Sequence, residues 1–330
     1  MHIADGLLSP AVCVATGLLA AGAVGVSLRQ LNQSLATRTV PLTGMMAALI
    51  FAGQMVNFPL LGANVSGHLL GGVLAAVILG PWAGCLALTV VLTVQCFVFA
   101  DGGLTSLGAN ILNMGVVGSL GGYAVYATIR RRIAGSRGVI VASVIAAWVS
   151  VLAAAALFCW EFALSHPAGS FDLTTVCLLM TAYHSVIGVG EALITGLVLG
   201  VVLAQRPDLI HSPAPGAGVI SNLGRAAWAC VILSLAVAIF LAPFASEHAD
   251  GLEAVAAQTG LQQLEATPRV LVLSEYSLAI PGTDASSGFW QRASVSLAGV
   301  VGTLIVLAIA ATLSKWTQSR LASTEGANVS

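Results

Sequence analysis

Nine stretches of this sequence, 10–28, 41–57, 66–80, 82–100, 108–129, 138–161, 174–204, 226–244 and 292–313, are apolar almost throughout. Charged side chains are nearly confined to the gaps between them. A helix crosses the hydrocarbon core of a bilayer with about 20 mostly apolar residues, and with fewer where neighbouring helices bury its ends. Apolar side chains make up 58% of the 330 residues and charged ones 8%, against roughly a quarter charged in a soluble domain. So few charges, 12 basic and 13 acidic, cannot coat a soluble protein of this size, and lipid must cover much of the surface. A soluble enzyme and a disordered chain are excluded, and a net charge of −1 gives no basic footprint for nucleic acid. The expected fold is all-α: a polytopic membrane bundle of about nine transmembrane helices.

Several ends are legible. Ser9-Pro10 places a capping hydroxyl and a proline at a helix start, Asn57-Phe58-Pro59 closes the second run, and Gly80-Pro81 implies a tight re-entry or hairpin. Cys13, Cys85, Cys96, Cys159, Cys177 and Cys230 sit inside apolar runs without a CxxC pair, as helix-packing thiols do.

Basic residues set orientation. With the amino terminus outside, Arg29, Arg38, Arg130, Arg131, Arg132, Arg137, Arg206, Arg225, Lys315 and Arg320 are cytoplasmic, which leaves only Arg269 and Arg292 outside. Asp5, Asp101, Glu161, Asp172 and six acids from Glu247 to Asp284 then face out. The expectation is amino terminus out and carboxyl terminus in. No Lys or Arg precedes Arg29, so residues 1–28 lack the positive start of a cleaved signal peptide and are expected to persist. Two parts are expected: a Gly-rich membrane domain over 1–205 and a two-helix unit over 226–330, joined by a polar linker, 206–225. The second unit carries an outside loop at about 245–290, and no internal repeat of the kind found in inverted-repeat transporters is visible.

The opening Met1-His2-Ile3-Ala4-Asp5-Gly6 is the most informative segment. A histidine at position two puts the terminal amine, the His2 amide nitrogen and an imidazole nitrogen into one fused chelate. With the amide deprotonated, these fill three corners of a square plane, the geometry of Ni(II) or Cu(II), which Co(II) also accommodates. His68 follows Asn64-Val65-Ser66-Gly67 near the outer end of the third run, on the side of the amino terminus, and can supply the fourth corner. The alternative is a solvated terminal residue and a hydrogen-bonded helix histidine.

These segments resemble the CbiM/NikM family, the substrate-binding membrane components of energy-coupling-factor transporters for cobalt and nickel. The resemblance extends through Leu79-Gly80-Pro81-Trp82-Ala83-Gly84, through Gln95 leading to Phe99-Ala100-Asp101-Gly102-Gly103, and through the 107–115 stretch that holds Asn110 and Asn113. It continues at His184-Ser185-Val186-Ile187-Gly188-Val189-Gly190-Glu191, so that it covers residues 1–205 nearly end to end. It implies a metal held by the Met1 amine, the His2 amide and imidazole nitrogens, and His68. Ala4 stands where the family pattern has proline, which loosens the loop but removes no ligand. In the second unit, Asp250-Gly251-Leu252-Glu253 is similar to the Pro-Asp-Gly-Leu-Glu signature of the NikN-type partner module, with Ala249 in place of the proline. Physically, Asp250 and Glu253 read as a capping box ahead of a helix, the role preferred here over ligation. His248 is expected to be a solvated loop histidine.

Polar groups inside a membrane are costly and point to function. His184 and Glu191, seven apart on one helix face, are expected to form a buried pair, a subunit contact or a structural interhelical bond. Asn64, Gln95, Asn110 and Asn113 suit hydrogen bonds that orient ligand imidazoles, or that satisfy breaks in the backbone. Gly17, Ala21 and Gly25 form a small-residue row, available for packing within the chain or for docking another protein.

Lys315 is the sole lysine and lies outside any GxxxxGK pattern, so the chain has no P-loop. An active importer of this kind needs ATP hydrolysed elsewhere. The resemblance implies ABC-type ATPase subunits and a transmembrane coupling protein as partners, the inner membrane of a prokaryotic cell as location, no cofactor, and Ni(II) or Co(II) as transported substrate. Metal uptake should release protons and weaken in mildly acidic medium, since a free α-amine titrates near roughly 7.7–8.0. Two other classes stay open: an ATP-independent divalent-cation permease or channel, which needs a path of intramembrane acids, and an intramembrane metalloenzyme, which needs an open coordination position.

Overall fold

The computed structural model describes residues 1–34, 39–60, 62, 64–211, 223–266, 273, 276 and 288–327. Arg38, Arg269, Asp284 and residues 212–222 of the linker lie outside them. In chain order the helices are α1 (Pro10–Ser34), α2 (Thr39–Gln54), α3 (Gly72–Leu79), α4 (Pro81–Val94), α5 (Leu107–Asn110), α6 (Gly122–Arg130), α7 (Gly135–Ser165), α8 (Leu173–Gln205), α9 (Leu223–Ala236), α10 (Gly251–Thr259) and α11 (Gly288–Ala327). π-helical turns prolong α4 over Gln95–Phe99 and α9 over Val237–Leu241, and a third, Ile111–Gly121, joins α5 to α6.

Six helices among the described residues are long and apolar enough to cross a membrane, where the sequence suggested about nine: Pro10–Leu31, Pro81–Phe99, Gly135–Ser165, Leu173–Gln205, Ala227–Phe244 and Gly288–Ala310. α2 contributes a shorter apolar helix, Leu42–Gln54. The helix running without a break through 107–130 is at most about 36 Å long at the α-helical rise of 1.5 Å per residue, the π-helical middle rising less. That length is sufficient, although Asn110, Asn113 and its glycines dilute the apolar character.

The run 66–80 is not a span. Ser66–Gly67 (β2) pairs antiparallel with Phe58–Pro59 (β1), Phe58 opposite Gly67, a small ladder that the all-α expectation did not include. An extended stretch then leads into α3, whose eight residues rise only about 12 Å. The positive-φ glycines Gly71 and Gly80 stop the helix at both ends. All eight residues are buried, so this is a core segment that re-enters the bundle, as the Gly80-Pro81 break implies.

The main core gathers α2, α3, α4, α7 and α11 around Phe51, Val73, Leu88, Val91, Phe99 and Val306. A second core is built around the chain start, where Met1, Ile3, Leu7 and Leu8 pack with Phe158, Phe162, Val176, Met180, Leu252 and Val255. Ile3 and Leu7 are 0% and 1% exposed, and burying each side chain contributes about 1.5–3 kcal/mol. The first eight residues are therefore wedged between α7, α8 and α10. The outer helix faces carry the opposite pattern: Val14, Leu18 and Leu19 on α1, Leu193, Leu197 and Val201 on α8, and Trp228 and Ile232 on α9 are all exposed. Apolar residues covering the outside of helices this long mark a lipid-facing surface.

Hydrogen bonds fix which loops share an end. Residue 5 is tied to 104, 105 and 266, Leu7 to His166, and Ser66 to residues 248 and 249. At the other end His211 bonds Val77, close to the Arg206–Asp208 ion pair.

Candidate metal centre

The loop carrying the chain start is held from three sides. Asn110 clamps Ile3, accepting from its N–H at 2.8 Å and donating to its carbonyl at 3.1 Å, while Gly103 N–H donates to the same carbonyl at 2.8 Å. The Asp5 carboxylate accepts from the N–H groups of Leu104 and Thr105, and the Asp5 carbonyl accepts from Ala266 N–H. Gly6 has φ +93°, and a Cβ there would land on the Leu264 carbonyl oxygen. Gly6→Ala is therefore expected to cost about 1–3 kcal/mol in backbone conformation alone and to lift the loop off the 261–266 segment. Thermal unfolding checks the first effect, and faster proteolysis near residue 6 the second.

These ties bring Met1, His2 and His68 together. The Met1 ammonium donates to His68 Nε2 at 2.6 Å and pairs with Asp250 Oδ2 at 2.9 Å. The His2 and His68 rings stack with centroids 5.1 Å apart. His68 Nδ1 faces the Leu69 carbonyl at 3.0 Å, which uses its N–H and leaves Nε2 as a lone pair toward the amine. Burial first, then the adjacent ammonium and His2, hold the His68 pKa well below its usual value. His2 is also lowered by burial, against the opposing pull of Asp101. His68 is thus set up as a neutral base.

A chain of amides orients His2. Gln54 donates to the Leu70 carbonyl at 2.9 Å, Gln95 donates to Gln54 Oε1 at 2.9 Å, and His2 Nε2 lies 3.1 Å from Gln95 Oε1. Because both amide nitrogens are spent as donors, Gln95 presents an oxygen and His2 must donate from Nε2. That leaves Nδ1, the nitrogen able to close a chelate with the His2 amide, to face Asp101. Nδ1 lies 3.0 Å from Asp101 Oδ1 and donates to it, so an ion binding there displaces both Asp101 and that proton. Tyr276 donates to the other Asp101 oxygen at 2.6 Å.

Asp250 does two things at once. Its Oδ1 accepts from Leu252 and Glu253 N–H, and Glu253 returns a bond to Asp250 N–H, which completes the expected capping box of α10. Its Oδ2 faces the Met1 ammonium. Burial would raise the carboxyl, but the ammonium, His68 and the capping N–H groups outweigh it and hold the pKa well below the carboxylate range.

The other polar residues divide. Gln95 and Asn110 support the site directly. Asn113 donates to Glu161 at 2.8 Å, one layer away, and Asn64 is exposed. His184 and Glu191 do not pair. Glu191 accepts from Leu70 and Gly71 N–H at 2.6 and 2.9 Å and so braces the segment that follows His68. His184 donates from Nδ1 to the Met180 carbonyl at 2.9 Å, beneath the site. His248 is exposed, as expected. Of the small-residue row, Gly17 abuts Gly108, whereas Ala21 and Gly25 are exposed. Asp101, Tyr276 and Gln54 carry roles that sequence reasoning did not assign. Only Asp101, an acid within a glycine-flanked motif, left a signal.

Comparison with known proteins agrees with this architecture. Residues 2–209 match the CbiM family, described as the cobalt uptake substrate-specific transmembrane region, and residues 224–319 match the PDGLE domain. A putative fused nickel transport protein NikMN of Archaeoglobus fulgidus is 36% identical over 322 residues, covering 97% of this chain and 100% of its own. The cobalt transport protein CbiM of Geobacter sulfurreducens is 30% identical over 249 residues, covering 72% of this chain and 71% of its own. A crystal structure of a truncated transition metal transporter superposes with a TM-score of 0.55 at 32% identity, over 62% of this chain and 99% of that one. The chain is thus a multi-pass protein of a prokaryotic membrane, and it belongs to the CbiM family with a PDGLE domain following.

Proposed function

We propose that the chain is the substrate-binding membrane component of an energy-coupling-factor importer for Ni(II), Co(II) or both. The observation that carries this is the meeting of the terminal amine and His68 Nε2 at 2.6 Å, with the His2 ring stacked beside them. The ion exchanges its waters for the Met1 amine, the His2 amide, His2 Nδ1 and His68 Nε2. The fused relative named for nickel transport favours nickel.

On this reading residues 1–205 form the metal-binding domain, 206–225 the linker and 226–330 a NikN-type module, with the amino terminus outside and the carboxyl terminus inside. The chain has no P-loop, so ATP hydrolysis falls to ABC-type subunits acting through a transmembrane coupling protein. Ala21 and Gly25 on α1 offer that protein a close approach. A permease would need acids lining a path, yet Glu191 is committed to Leu70 and Gly71 and Glu161 is bonded to Asn113.

Cells carrying this chain with its partners should accumulate nickel or cobalt, and lose that uptake when the ATPase is inactivated. Uptake that persists without ATP hydrolysis would overturn the reading in favour of a permease. The ammonium and the amide must each give up a proton to the incoming metal, as must the His2 Nδ1 that faces Asp101, whereas His68, whose proton sits on Nδ1, has none to give from Nε2. Apparent affinity of the purified protein should therefore fall with pH, about tenfold per unit for each proton displaced.

A further inference from the structure

Beneath the ligand set lies a cavity of about 20 Å³, room for one water-sized occupant. Met1, His68, His184, Asp250 and Gly251 line it, and Leu70, Val151, Ala154 and Ile187 make the rest of the wall apolar. His184 is 2% exposed, and its single N–H is spent on the Met180 carbonyl, so Nε2 is a bare lone pair. Among the described residues Nε2 finds no hydrogen-bond partner. A buried acceptor left unmet costs about 1–3 kcal/mol, and a backbone carbonyl fixing Nδ1–H is the arrangement that aims Nε2 at a metal ion. The space in front of it depends on residue 251. A Cβ on Gly251 would sit 2.9 Å from His184 Cε1, 3.3 Å from Nε2 and 2.7 Å from Ile187 Cδ1. Asp250 is the one carboxylate in its lining.

We propose that His184 Nε2 and Asp250 Oδ2 form a loading position, which takes up the incoming divalent transition ion before it passes to Met1, His2 and His68. This rests on the proposed chelate. Transfer is by ligand exchange alone. The ion trades two waters for the imidazole and the carboxylate, which frees the Met1 ammonium from its counter-ion. The ammonium then loses its proton to solvent, and the amine with its neighbours takes the ion. An apolar cavity this small admits the ion only after most of its water has gone, and two protein donors replace part of the lost hydration. His184 is a transient ligand during delivery, not a ligand of the final complex.

The test is rapid-mixing capture of Ni(II) by the purified full-length chain with its native start, for the parent, His184→Ala and Gly251→Ala. Gly251→Ala removes no proposed ligand atom and fills the space over His184. Both variants are expected to capture Ni(II) about tenfold or more slowly, with the final metal content and the absorption spectrum of the loaded protein unchanged. Parent-like capture rates in both would show that the cavity holds only a water, and overturn the proposal. Loss of bound metal at equilibrium in a folded His184→Ala protein would overturn it too, by making His184 a ligand of the final site. Should His184→Ala fail to fold, Gly251→Ala decides alone. Full metal content in His68→Ala would instead sink the chelate reading, whatever the rates.

Discussion

One residue added ahead of Met1 is expected to lower the affinity of the purified protein for Ni(II) by about 100-fold or more. The amine lies in a buried site, 2.6 Å from His68 Nε2 and 2.9 Å from Asp250 Oδ2. An added residue turns it into an amide, which has neither the charge for Asp250 nor the basic lone pair for a metal. The extra backbone has no room, because Met1 is 6% exposed and packs in the core of Ile3, Leu7 and Phe158. Removing one partner of a buried ion pair also costs about 3–5 kcal/mol, so thermal stability should fall with the affinity. His2→Ala and His68→Ala leave the amine in place and should lose metal with a smaller loss of stability. Calorimetric titration and metal content after desalting measure the first effect, and thermal unfolding the second. Undiminished nickel in the extended protein would remove the terminal chelate.

Glu191→Ala should be the most damaging substitution outside the ligand set. Its carboxylate accepts from two adjacent backbone N–H groups, Leu70 and Gly71, within the non-helical stretch that carries His68 into the bundle. Alanine leaves both donors buried and unmet, at about 1–3 kcal/mol each. His68 then sits on a loosened segment, and nickel affinity should drop as well. Glu191→Gln keeps one amide oxygen and should fall between the parent and alanine on both measures. A Glu191→Ala protein with parental unfolding temperature and affinity would show that the segment is held by other means.

Much of this site was legible in the sequence because it is local chemistry. A histidine at position two puts an amine, an amide and an imidazole within reach of one another whatever the fold, and the spacing of Asp250 and Glu253 is that of the capping box the structure shows. What the sequence could not supply was neighbours. His184 and Glu191 share a helix face, but seven residues rise about 10 Å, beyond the reach of two side chains, so each found a different partner. The run 66–80 read as a span because apolar residues serve a buried segment as well as a lipid-facing one. The glycines at 71 and 80, which cut it to eight residues, take positive φ only in the fold. The spare oxygen of Asp250 and the role of Asp101 depend on segments far apart in the chain meeting at one end of the bundle.

That meeting has a consequence for gene architecture. Asp250 Oδ2 neutralises the chain start from a different half of the same polypeptide. Covalent tethering makes the encounter intramolecular, with an effective molarity set by the intervening chain rather than by expression level. If the two halves were produced as separate polypeptides, the same carboxylate would have to be recruited by diffusion in the membrane plane. Occupancy of the pair would then follow the abundance of the smaller fragment.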